Sequence, residues 1–171
     1  MKLTVLILTL DLHKNKEDAK HKPYAKKYMP RVCAKIGDKT MIEITIENAL
    51  RLNPVSVVLY VYKNNIEFIN NVLKRKPYSK VLTYMFRENL KFENCNLLVI
   101  PGNYPLLSVK SLIRLVSQNR NIKINNNLFY LKNDSLYMFD VITDIPKSND
   151  FIISTSELKK VEKYTDLKDI K

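Results

Sequence analysis

Three uninterrupted apolar runs constrain this chain more than any other feature of its sequence. Residues 3–10, 55–62 and 96–100 are rich in Leu, Ile and Val and lack the alternation of polar and apolar positions that marks a half-covered strand. A strand buried on both faces reads as such a continuous run. The runs are therefore expected as inner strands of one sheet. Between them lie segments of helical period. Residues 40–52 place Met41, Ile42, Thr45, Ile46, Ala49 and Leu50 on one face, and Thr40 followed by Glu43 forms a capping box. Asn53-Pro54 stops that helix. Residues 65–74 turn Ile66, Ile69 and Leu73 inward, and Ser108 caps a third helix reaching Gln118. Residues 80–85 read as a short further strand.

Strands that alternate with helices imply an α/β domain with a mostly parallel sheet flanked by helices. Its ligand crevice is expected beyond the strand carboxyl ends, at Asp11 onward, Tyr62-Lys63 and Gly102-Asn103. Residues 128–131 and 136–139 flank Asn133-Asp134, which predicts a small antiparallel hairpin. Residues 154–171 are expected to form one or two helical turns around Leu158, Val161 and Leu167. The 171 residues suit a single domain with one core.

Composition narrows the functions. Gly37 and Gly102 are the only glycines, although a chain that cradles phosphate on backbone amides usually needs glycine for close approach. The net charge is +12, which favours anionic partners such as nucleotides, nucleic acid or an acidic surface; the same excess of Lys also follows from an AT-rich coding sequence. Cys33 and Cys95 lack metal spacing and are expected as reduced thiols. Residues 3–10 are too short for a signal peptide core, no small-residue cleavage site follows, and no segment is long enough to span a membrane. A cytoplasmic protein is the expectation. The stretch 11–29 is polar and basic, without sustained apolar period, and is expected as a loop. His13 and His21 have no metal-ligand spacing and read as surface residues.

Three stretches, in order, resemble the sugar-1-phosphate nucleotidyltransferases, also described as the NDP-sugar pyrophosphorylase or MobA-like NTP transferase family. Pro30-Arg31-Val32-Cys33 follows the first strand as P-K-V-L does in that family. Lys35-Ile36-Gly37-Asp38-Lys39-Thr40-Met41-Ile42-Glu43 and Ile46-Glu47-Asn48-Ala49-Leu50 are similar to K-I-G-G-K-P-M-I-E and I-E-N-A-L. Leu97-Leu98-Val99-Ile100-Pro101-Gly102-Asn103-Tyr104-Pro105-Leu106-Leu107-Ser108 resembles L-x-G-D-x-P-L-L-S. The nearest look-alike is the uridyltransferase domain of bacterial N-acetylglucosamine-1-phosphate uridyltransferase. The resemblance implies a Rossmann-like, glycosyltransferase-A-like fold, with residues 1–118 on the nucleotide side and residues 119–171 as a shortened sugar side and closing segment.

The family reaction is attack of a sugar-1-phosphate on the α-phosphate of a nucleoside triphosphate, with release of pyrophosphate. The protein's task is to position the groups and neutralise charge. The residues that match the family's devices are altered. Its glycine-rich A-G-x-G-T-R aligns with Leu10-Asp11-Leu12-His13-Lys14-Asn15, so Asp11 and Lys14 stand at the phosphate positions, after Leu8 on the strand. Arg31 replaces the phosphate-binding lysine and is the expected anion contact. Asn103, after Gly102, replaces the aspartate that holds Mg²⁺ and is the weakened metal ligand. The base-binding segment expected between Tyr84 and Asn96 is missing, and Asp140 falls where a sugar-binding glutamate stands.

Three readings follow. One is a nucleotidyltransferase resembling UDP-N-acetylglucosamine pyrophosphorylase, Mg²⁺-dependent if active, with weakened or lost activity. Another is a pseudoenzyme that binds or scaffolds a partner. The last is a basic anion or nucleic-acid binder. As partners, the resemblance leaves open a nucleotide or sugar phosphate, a homo-oligomer, or a complex with an active homologue.

Overall fold

The computed structural model describes residues 2–9, 30–76, 78–85, 90–92, 94–118, 120–125, 128–132, 137–138 and 153–159. The three apolar runs become β1 (Leu3–Leu8), β4 (Ser56–Val61) and β7 (Asn96–Pro101). They are adjacent and parallel, with Leu8 opposite Tyr60 on one side and Pro101 on the other. β5 (Val81–Met85) extends the sheet in parallel beyond β4. β9 (Leu128–Leu131) lies antiparallel to β7, and β8 (Ile122–Asn125) lies antiparallel to β9. The six-stranded order is β5-β4-β1-β7-β9-β8.

Among the described residues three helices cover one face of this sheet: α1 (Met41–Leu50), α2 (Ile66–Arg75) and α3 (Val109–Val116). The reason is periodicity. Ile42, Ile46 and Ala49 of α1, Ile69 and Val72 of α2, and Leu112 and Leu115 of α3 join one buried cluster with Val5, Ile7, Val57, Leu59, Leu98 and Ile100. The alternate residues of the same strands, Leu6, Leu8, Val58, Tyr60, Leu97 and Val99, form a second cluster on the opposite face. That face is covered by Leu90, Phe92 and Cys95 from the connection between β5 and β7. The chain must pass behind β4 and β1 to reach β7, and a right-handed crossover in that direction runs over the face the helices leave open. Burial of each large side chain in these clusters contributes ~1.5–3 kcal/mol.

An antiparallel hairpin is present, but its arms are β8 and β9; β8, with the short alternation Ile122-Lys123-Ile124-Asn125, is not among the strands expected above. The expected second arm, residues 136–139, instead contributes β10 (Tyr137–Met138), which pairs with β6 (Lys91–Phe92). The cause is burial: all four residues of β9 are covered because it lies between β7 and β8. The turn at Asn133-Asp134 lies outside the described residues, as do residues 10–29 and 160–171. β2 (Lys35–Ile36) and β3 (Lys39–Thr40) form a small ribbon, and Gly37 adopts φ +64° at its turn, a left-handed conformation that favours glycine.

Candidate functional site

Chain order and sheet order part company between β1 and β7. The next strand after β1 lies on one side of it and β7 on the other, so the connections leaving β1 and β7 diverge at their carboxyl ends. In open α/β sheets that divergence opens a ligand crevice. Here its floor is tied down. Thr9 is fully buried, and both its N–H and its hydroxyl donate to the Tyr60 carbonyl, at 3.1 and 2.9 Å. The Gly102 N–H donates to the Leu8 carbonyl at 2.9 Å.

Gly102 sits in a tight space. A Cβ there would sit 3.1 Å from Val32 Cγ1, 3.3 Å from the Leu8 carbonyl oxygen and 3.6 Å from Ile42 Cδ1. The segment after Pro30 therefore crosses directly against the end of β7. It is a single 3-10 turn, Arg31–Cys33, closed by the Ala34 N–H donating to the Arg31 carbonyl at 2.8 Å. Val32, Cys33 and Ala34 are buried, and Arg31 at the start of the turn is half-buried.

The loop from β7 to α3 is held at several points. Tyr104 and Leu107 are buried, and the Leu107 N–H donates to the Tyr104 carbonyl at 3.2 Å. Asn48 of α1 donates its carboxamide N–H to the Leu107 carbonyl at 3.1 Å. Ser108 caps α3, its hydroxyl accepting from the Ser111 N–H. Glu157, far along the chain, completes that terminus. Its carboxylate accepts from the Ser108 N–H at 3.0 Å, the Ser111 hydroxyl at 2.8 Å and the Ser154 hydroxyl at 2.9 Å. Burial alone would push this carboxyl up, but the hydrogen bonds from Ser108, Ser111 and Ser154 outweigh it and hold Glu157 down at about 2. Sequence reasoning missed Glu157. The available signal was the serine at the third helical position of α3, where a capping box would carry its acid.

Leu8, Gly102 and the Arg31 turn, all expected site residues, thus meet at one point, with half-buried Asn103 directly after Gly102. Asp11, Lys14 and Asp140 lie outside the described residues. Lys39 is drawn away into a charged group: Glu47 accepts from Lys39 and Lys76, each at 2.7 Å. The hydrogen bond to Glu47 raises the Lys39 pKa, and those from Lys39 and Lys76 lower that of Glu47. Beside them the buried Tyr78 hydroxyl makes no hydrogen bond, and burial, with Glu47 and Glu43 nearby, pushes it up to about 12.

The described crevice does not by itself compose a Mg²⁺ site. Hard divalent cations are held by carboxylates and other oxygens, and the residue at the metal position, Asn103, brings a neutral amide. Among the described residues no group of three His, Cys, Asp or Glu side chains could hold an ion.

No protein-family model and no curated protein matches the sequence. Solved structures do resemble the fold. A 4-diphosphocytidyl-2C-methyl-D-erythritol synthase from Anaerococcus prevotii superposes with a TM-score of 0.59 over 98% of this chain and 93% of its own, at 10% identity. A Mycobacterium tuberculosis protein, Rv0371c, in complex with manganese, gives a TM-score of 0.53 over 86% of this chain and 78% of its own, also at 10% identity. A putative glucose-1-phosphate thymidylyltransferase from Bacillus anthracis, in complex with sucrose, gives 0.50 over 82% and 73%, again at 10% identity. The fold is therefore Rossmann-like, as in these structures, with a mostly parallel sheet and a small antiparallel hairpin. No helix among the described residues is long and apolar enough to cross a membrane.

Proposed function

We propose that this chain is a cytoplasmic, single-domain nucleotidyltransferase homologue that binds a nucleotide or sugar phosphate at the carboxyl ends of β1 and β7, with its transfer activity weakened or lost. The observation that carries the reading is the junction of Leu8, Gly102 and the Arg31 turn at the point where strand order reverses. A cationic guanidinium at the edge of such a crevice suits a phosphate, which it can hold through two parallel N–H donors.

In this reading Arg31 contacts phosphate, the backbone at Leu8 and Gly102 shapes the floor, and Asn103 stands at the metal position. Asp11, Lys14 and Asp140 are assigned by resemblance to the phosphate and sugar positions. The substrate pair of closest resemblance is UTP and N-acetylglucosamine-1-phosphate. A sugar phosphate oxygen would bond to the α-phosphorus as the bond to pyrophosphate breaks. A divalent cation supplies charge neutralisation in such reactions, and a carboxylate lost from its site costs on the order of a hundredfold in rate.

Calorimetric titration of UTP into wild type and Asn103→Asp, with Mg²⁺ and with Mn²⁺, tests the site. The substitution is expected to strengthen metal-dependent binding at least tenfold; equal, metal-independent behaviour of both proteins would refute the assignment of Asn103. A pyrophosphate-release assay over several nucleotide and sugar-phosphate pairs separates a slow enzyme from a pseudoenzyme. The neutral Asn103 favours the pseudoenzyme, as a binding partner of an active homologue. Binding of single-stranded nucleic acid that falls steeply with salt would favour the basic-surface reading instead.

A further inference from the structure

We infer that Glu157 is a positioning residue, through which the segment of residues 153–159 acts as a strap that locks the loop carrying Gly102 and Asn103. The inference rests on the proposed site but is carried by separate geometry.

Residues 102–108 join the end of β7 to the start of α3. The front of this loop is fixed by the hydrogen bond from Gly102 to Leu8. Its rear is fixed from two other elements. Asn48 of α1 holds the Leu107 carbonyl, and the Glu157 carboxylate holds the Ser108 N–H and the Ser111 hydroxyl. The strap is itself anchored on both sides of Glu157. Ile153 is 4% exposed in the core cluster, and Leu158 packs against the same cluster. Successive turns link Ser154 to Glu157 and Thr155 to Leu158, and the Ser154 N–H and hydroxyl both reach the Glu157 carboxylate. The carboxylate thus has its donors supplied from two segments, which makes it the joint between them.

Two consequences follow. The N-cap amide of α3, the Ser108 N–H, already meets an internal anion, so a bound phosphate is expected elsewhere than at this terminus. With the rear of the loop held, Asn103 has little freedom between Gly102 and the buried Tyr104. The Glu157 carboxyl, held down at about 2 by its hydrogen bonds, stays ionised across the physiological range. It is a fixed brace for the loop.

The test compares wild type, Glu157→Gln, Glu157→Asp, Ser111→Ala and Val72→Ala, the last a core variant on α2 away from the loop. Amide resonances and hydrogen exchange of residues 102–108 are followed by NMR, and UTP binding by calorimetry. Glu157→Gln is expected to shift the Gly102 and Asn103 resonances and speed exchange at Ser108 more than tenfold, with β1 and β4 unchanged. Glu157→Asp should recover part of the effect, and UTP affinity should fall about tenfold in Glu157→Gln but not in Val72→Ala. If Glu157→Gln fails to fold, Ser111→Ala, which removes one donor, must still shift residues 102–104. Unmoved Gly102 and Asn103 resonances in a folded variant would overturn the inference, as would an equal loss of affinity in Val72→Ala. If wild type binds no UTP, the proposed function fails while the NMR readout still decides the role of the strap.

Discussion

The N-termini of α1 and α3 solve the same problem in different ways. Each leaves orphan backbone N–H groups and each begins at a Ser or Thr cap. In α1 the answer is local. Thr40 accepts from the Glu43 N–H at 3.3 Å, and the Glu43 carboxylate accepts from the Thr40 N–H at 2.7 Å. In α3 the third helical residue is Ser111, whose side chain is too short to return, and the carboxylate comes from Glu157. A local cap stabilises one helix. A cap supplied from a distant segment stabilises the helix, the segment and the loop between them, so its removal should spread further.

The largest effect that comparison predicts is at Glu157. Glu157→Gln removes charge-assisted hydrogen bonds and leaves the Ser108 and Ser111 donors poorly matched, a loss of about 2–3 kcal/mol in chemical denaturation. The sign of its pH dependence is fixed by the depressed pKa of about 2. The ionised group contributes its full stability above the unfolded carboxyl range near pH 4.3, and that contribution disappears as pH falls towards 2. The gap in melting temperature between wild type and Glu157→Gln should therefore narrow as pH is lowered from 5 to 2. A gap that stays constant across that window would show that the carboxylate is not the stabilising group.

Gly102→Ala is expected to cost about 1–3 kcal/mol, because the added methyl presses on Val32 and the Leu8 carbonyl and reaches Ile42. This position joins the two regions, since Ile42 belongs to α1 and Gly102 leads into α3. Combined with Glu157→Gln it should give a loss that departs from additivity, because both changes act on one loop. Strict additivity in a double-mutant cycle would mean that the loop's front and rear are independent. Thr40→Ala, at the local cap, should cost about 1 kcal/mol and leave the resonances of residues 102–104 in place. If it moves them as much as Glu157→Gln does, the distinction between local and distant capping fails.

The same contrast explains what the sequence made legible. The buried runs of β1, β4 and β7 and the apolar faces of α1, α2 and α3 are local patterns, and residues at set spacings reveal them. The capping box at Thr40 and Glu43 is equally local. β8 is only four residues long, so its alternation of Ile122 and Ile124 with polar residues does not name a partner; it pairs with β9, which lies between it and β7. The Asn133-Asp134 turn signal therefore drew the hairpin to the wrong partner. At the site, Gly102 and the Arg31 turn were legible through ordered motifs, and strand order then brought them together. Glu157 was not, because its partners at α3 lie more than forty positions away and only the folded chain unites them.

The smallest effect is expected where charge is gathered at the surface without closing a helix end. Glu47, on α1, is held by Lys39 from β3 and by Lys76 just after α2, each at 2.7 Å. Lys76 is 55% exposed at its side chain, and its ammonium lies 5.6 Å from the Tyr78 ring centroid. Exposed ion pairs contribute little, because water screens them and long side chains lose freedom in forming them. Lys76→Ala leaves Glu47 with Lys39 as a partner, so its melting temperature should fall only slightly, and the difference should vanish in high salt. The Tyr78 ring would lose the ammonium near it while its hydroxyl stays buried, so the Tyr78 hydroxyl should keep its pKa raised to about 12. A large, salt-independent loss would instead mean that Lys76 braces α1 against α2 as Glu157 braces the strap against α3, and the contrast between local and distant fixation would then have to include α1 as well.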